Sequence, residues 1–180
     1  MDKLRATIVS VLSLLDKPIY RTQIVKLVYL VDEMHFRHFG ETITGLSYMW
    51  DNHGPNAMGD AIVAEAGELV ELGIVHMSPK PNQYGETSYL YKLDRTDDKL
   101  LSSLSETEKY VIHDITCHYR NYTLPQLVKA SKETESFKGT QQYSAIELKQ
   151  SDEYIELTRS LKADKGFMRD MKATVKEMVG

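Results

Sequence analysis

Apolar residues at three- and four-residue spacing open the chain. Leu4, Ile8, Val11, Leu12 and Leu15 predict a helix over residues 2–15, which Pro18 ends. A second helix is predicted over residues 22–39. There Ile24, Val25, Leu27, Val28, Tyr29, Leu30 and Val31 cover nearly the whole circumference, with only Lys26 polar among them, and such a helix belongs in the centre of a fold. Its far end turns polar at Asp32, Glu33, His35, Arg37 and His38, so that end should emerge into solvent before Gly40 stops the helix.

Leu46, Tyr48 and Trp50 then alternate with Ser47 and Met49, a period-two pattern that predicts a short strand. Asp51-Asn52-His53-Gly54-Pro55 breaks it. Asn56 reads as the N-cap of a helix reaching Leu72 and carrying Ala57, Ala61, Ile62, Leu69 and Val70, with Gly73 placed to close it. Residues 74–77 and 88–93 flank a polar stretch, 78–87, and predict a hairpin with a loose tip. Ser105 with Glu108, and Thr123 with Gln126, form capping boxes before two further helices. Tyr154, Leu157, Leu161, Asp164, Met168, Met171, Val175 and Met178 recur at alternating spacings of three and four. This is a coiled-coil-like stripe, and Gly166 should bend it at a cost of about 1 kcal/mol against alanine. The pattern predicts an α+β fold, mainly α-helical. A central apolar helix is surrounded by helices and a small antiparallel β-sheet or hairpin, with residues 1–150 as one domain and 151–180 as its C-terminal helical extension.

Composition narrows the function classes. A formal charge of −4 gives no global attraction to phosphate backbones. The lone cysteine, Cys117, and the absence of any run of eighteen apolar residues predict a soluble protein of a reducing, cytoplasmic compartment with no membrane partner. No phosphate-cradling glycine loop, nucleophile elbow or HExxH pair occurs. His35 and His38 share a helical face near Glu33 without a third ligand beside them, and Cys117 and His118 point about a quarter turn apart. The expectation is therefore no enzyme, with no catalytic residue, metal ligand or cofactor.

A set of motifs gives the chain a family likeness. Lys26-Leu27-Val28-Tyr29-Leu30-Val31-Asp32, then His35 and Gly40, then Ile43-Thr44-Gly45-Leu46-Ser47-Tyr48 running into His53-Gly54-Pro55, together resemble the Panacea (SocA-like antitoxin) family. The likeness extends to Leu127-Val128-Lys129-Ala130-Ser131, which stands where that family has a leucine and small residues ahead of a histidine and a tryptophan. Lys132 and Phe137 occupy those two places here. The residues that carry the likeness, Lys26, Tyr29, Asp32, Gly45, His53, Gly54 and Pro55, are expected to be mostly structural. His53-Gly54-Pro55 reads as a strand-to-helix turn. Lys26 must reach solvent or find a carboxylate, and Asp32, six residues on, is not its neighbour on a helical face.

The resemblance implies a bacterial or phage antitoxin that neutralises a cognate toxin by direct protein–protein contact. Two alternatives stand beside it: an adaptor delivering a toxin to protease machinery, and a DNA-binding autoregulator of its own operon. The second helix argues against DNA, because a recognition helix needs polar side chains for base edges and residues 24–31 leave almost none. Two surfaces are candidates for the toxin: the polar end of the second helix, at His35, Arg37 and His38, and the C-terminal stripe at Phe167, Met168, Met171, Val175 and Met178. The same stripe would serve a homodimer.

Overall fold

The computed structural model describes residues 2–81 and 85–156. Helix α1 (Asp2–Leu15) is followed by a two-residue strand β1 (Ile19–Tyr20) and the long helix α2 (Arg21–Phe39). Gln23 accepts a hydrogen bond from the Tyr20 N–H at 3.0 Å and starts α2, while Gly40, left-handed at φ 77°, ends it with its N–H on the Phe36 carbonyl. The stretch from Ile24 to Val31 is buried on every side, including Lys26. No face of it is left to read bases. α1, α3 (Ala61–Glu71), α5 (Glu106–Tyr119) and α6 (Leu124–Lys132) pack around α2, so the most apolar segment of the sequence is the axis of the core. Two shorter helices are α4 (Asp98–Leu101) and α7 (Glu135–Lys138).

Two antiparallel sheets flank the helices. Strands β4 (Val75–Pro81) and β5 (Thr87–Leu93) form the expected hairpin, and β1 joins it in the order β1-β5-β4. The ladder runs from Val75 opposite Leu93 to Pro81 opposite Thr87, so β4 continues through residues assigned from sequence to the turn. Pro79 and Pro81 fit because β4 lies at the sheet's edge. The second sheet has the order β3-β2-β6, from β2 (Tyr48–Asp51), β3 (Gly54–Ala57) and β6 (Ala145–Ile146).

This second sheet corrects the reading of His53-Gly54-Pro55 and of Asn56. The motif is the turn and the start of the second strand of a β-hairpin, in which Asp51 pairs with Gly54 and Tyr48 with Ala57, and Asn56 lies within a strand. The following helix starts only at Ala61. Gly59 at φ 68° and Asp60 at φ 52° are left-handed, which interrupts any helical path from Asn56. Its far end is as expected: the Gly73 N–H bonds Val70 and the Ile74 N–H bonds Leu69, a Schellman closure with Ile74 and Leu69 both buried. Both capping boxes form. Ser105 and Glu108 exchange hydrogen bonds, and Gln126 accepts from the Thr123 N–H at 2.8 Å.

The polar end of α2 is less wet than its sequence suggests. Asp32, Glu33 and His35 are buried, and only from Met34 and Phe36 onward does the helix reach solvent. Among the described residues no helix is long and apolar enough to cross a membrane. Because Leu27 sits at the centre of this core, 1% exposed, Leu27→Ala is expected to lower unfolding free energy by about 2–5 kcal/mol. Urea melts with an unchanged slope would check this.

Candidate partner-binding site

Three polar side chains on α2, three residues apart, each tie the helix to a different part of the chain. The Lys26 ammonium donates to the Pro55 carbonyl at 2.6 Å and holds strand β3. The Tyr29 hydroxyl meets the Thr134 hydroxyl at 2.8 Å, at the start of α7, and its ring lies edge-on to Tyr48 with centroids 5.1 Å apart. The Asp32 carboxylate accepts from the Ile43 and Thr44 N–H groups at 2.9 and 3.1 Å, from the Tyr48 hydroxyl at 2.6 Å, and from the Thr44 hydroxyl. Lys26 thus finds a carbonyl instead of a carboxylate, 29 residues away in sequence.

Burial dominates the electrostatics of this spine. It pushes the Lys26 ammonium down to about 8, with nearby Lys132 acting the same way and the Asp51 charge opposing. Burial raises Asp32 above the ordinary carboxylate range against the pull of its four hydrogen bonds. Tyr29 and Tyr48 are raised for the same reason, Tyr48 further so by the Asp32 charge. These groups lie inside the core, where they fix loop 40–47 and the β2–β3 hairpin against α2. Gly54, at φ 94°, is also where the Lys132 side chain crosses the hairpin, since a Cβ there would meet Lys132 carbons at 3.0–3.2 Å.

A groove of about 630 Å³ lies beside this spine, between α2, α5, α6 and α7. Leu30 and Ile115 form its buried floor, with Met34, Tyr119, Tyr122 and Ala130 partly exposed above them. Charged residues surround the opening, among them Arg37 facing Glu135 at 4.0 Å and Lys129 facing Glu133 at 3.7 Å. Glu33, on the same helix face, is buried and held by the Ser136 hydroxyl, and its carboxyl is raised by burial against the pull of Arg37. An apolar floor with an aromatic wall and a charged mouth is the layout of a surface that grips an apolar side chain and orients it by charge.

The sequence-derived partner residues separate. Arg37 lines the groove. His38 is partly exposed and packs at a tilt against Tyr154, ring centroids 3.9 Å apart and planes at 41°. His35 is buried, with Nδ1 2.7 Å from the Glu41 carbonyl, so it secures the end of α2 and presents no surface to a partner. Phe167, Met168, Met171, Val175 and Met178 lie outside the described residues. Gly45 sits at φ 73° in the loop that Asp32 holds, and His53 is exposed at the hairpin tip. Cys117 is partly exposed, its sulfur 3.5 Å from His113 Nε2. Sequence reasoning missed Met34, Tyr119, Tyr122 and Ala130 as a set. Tyr119 and Tyr122, three residues apart across the end of α5, were the available signal. Phe137 is buried against Trp50, ring centroids 4.4 Å apart, and fills its apolar socket.

A family model described as antitoxin SocA-like, Panacea domain, matches residues 24–138. The match begins at the apolar run of α2 and ends in α7, enclosing the Lys26–Tyr29–Asp32 spine and the groove. Comparisons with curated proteins and with solved structures return no match.

Two outcomes follow from the spine. Asp32→Ala leaves two hydroxyls and two N–H groups without their acceptor and is expected to cost about 3–5 kcal/mol, read from chemical unfolding. Lys26 gives a pH signature. Its folded value of about 8 lies below the ordinary 10.5, so between those values the unfolded chain holds more protons and stability rises with pH. Above pH 10 the raised tyrosines reverse the trend. Unfolding measured from pH 7.5 to 10 should show the rise in the wild type, and Lys26→Met should flatten it.

Proposed function

The chain belongs to the SocA-like Panacea antitoxin family, and from that premise we propose that it neutralises its toxin by seating part of it in the groove between α2, α5 and α6. The family's domain is a non-catalytic antitoxin domain that acts by protein–protein contact, so the task of the site is recognition. One observation supports the groove as the place: it joins a preformed apolar floor to the exposed end of α2, beside the residues that anchor the fold. A rigid, preorganised pocket loses little entropy on binding.

The spine and the groove divide the work in this reading. Tyr29, Asp32 and the β2–β3 hairpin hold the scaffold, and Tyr119, Tyr122, Met34 and Arg37 meet the toxin. The C-terminal stripe, with Phe167, Met168, Met171, Val175 and Met178, supplies an adaptable second contact from its methionines. Sequestration is the direct form of neutralisation; delivery of the bound toxin to protease machinery would use the same first step.

The test is bacterial growth with the reading frame adjacent to this gene induced alone and then with this chain. The neighbour should arrest growth and the wild-type chain should restore it. Ala130→Arg fills the groove from a helical surface position without removing core volume, and it should fold normally yet weaken toxin binding at least about tenfold, the worth of one hot-spot contact. Full rescue by folded Ala130→Arg would move the interface elsewhere, and a harmless neighbour would sever the pairing.

A further inference from the structure

A second concavity lies at the other end of the same helix stripe. It is a pocket of about 260 Å³ between the start of α2, the β2–β3 hairpin and the start of α3, lined by Arg21, Lys26, Asp51, His53, Asn56 and Asp60 among others. Lys26 is 2% exposed, and among the described residues its ammonium makes one hydrogen bond, to the Pro55 carbonyl, leaving two donors unspent. A buried ammonium with a single neutral acceptor is costly, and an apolar residue of the same size would be the more stable choice. What the lysine provides is a donor already stripped of water.

The other groups around the pocket are arranged to complement an incoming acceptor. Arg21 and His53 are exposed at the pocket and form no hydrogen bond or ion pair among the described residues, although the Arg21 charge acts on Tyr91. The two carboxylates are engaged: Asp60 accepts from the Asn56 amide at 2.8 Å, and Asp51 accepts from the Asn52 N–H at 2.6 Å. The Asn56 side-chain oxygen, Oδ1, is buried with no partner among the described residues, an acceptor waiting for an N–H. An occupant that satisfies both ends carries an anionic oxygen for Lys26 and Arg21 and a peptide N–H for Asn56. With two carboxylates lining the same cavity, a singly charged group is favoured over a phosphate dianion.

Lys26, Leu30, Glu33 and Arg37 recur at four, three and four along α2, so pocket and groove lie on one helical stripe roughly 16 Å long. We propose that the Lys26 pocket is a socket for an aspartate or glutamate side chain of the toxin, clamped by Lys26 and Arg21 and seated by the Asn56 side-chain Oδ1 on a neighbouring peptide N–H. This rests on the reading of the chain as a toxin-binding antitoxin. The lysine is the buried anchor and the arginine the exposed arm that closes over the carboxylate.

The socket is tested first without any toxin. Acetate is titrated into the full chain at constant ionic strength, with inorganic phosphate in parallel, and backbone amide shifts are followed by NMR. Saturable shifts confined to residues 21–26 and 51–57, abolished in Lys26→Met and weakened about fivefold in the surface variant Arg21→Gln, are the expected result. Absence of saturable acetate shifts, shifts unchanged in folded Arg21→Gln, or saturation by phosphate alone would overturn the carboxylate socket. Binding of the adjacent gene's product is then compared between wild type and Arg21→Gln, where a loss of about fivefold is expected. Equal affinity would overturn the toxin as occupant, whereas a neighbour that does not bind the wild type strikes the toxin reading and leaves the acetate result standing.

Discussion

A carboxylate sealed from water keeps its place in a core only when donors replace the lost solvent, and that requirement governs how this chain is assembled. Asp32 is fully buried, and its oxygens accept from two backbone N–H groups and two hydroxyls. Those donors come from residues 43–48, so the loop after α2 must fold back along the helix before the carboxylate is satisfied. Tyr48 then carries β2 into position, β2 pairs with β3, and β3 brings the Pro55 carbonyl to Lys26. The order of dependence runs from one side chain outward.

The parts that were legible from sequence are those whose causes are local. The apolar stripe of α1, the all-round apolar run of α2, the two capping boxes and the Schellman closure at Gly73 each depend on residues within a few positions of one another. What was not legible depends on pairings across long separations. Asn56 has the chemistry of an N-cap, but strand pairing with Met49 and the left-handed residues behind it overrule local preference. The partner of Lys26 is a main-chain carbonyl, which no side-chain pattern announces. The strands β1 and β6 are two residues long, too short for any periodicity to show.

The site followed the same rule. Arg37, which lines the groove, stands out in the sequence on the polar end of a helix, whereas the groove itself exists only when α5 and α6 close against α2. His35 misled because polarity was read as exposure, while its ring is consumed by the Glu41 carbonyl. A family likeness carried by the spine therefore speaks mainly about the scaffold. Tyr119, Tyr122 and Ala130 line the groove and lie outside the hydrogen bonds of Asp32 and Lys26.

The β4–β5 hairpin has a consequence of its own. β4 ends its sheet, and an open strand edge is a template on which further chains can add by main-chain pairing. Pro79 and Pro81 remove two N–H groups from that edge, and Lys80 between them adds a charge that a stacking neighbour would have to bury. Two copies of the chain meeting along that border would therefore find a blocked template instead of an open one.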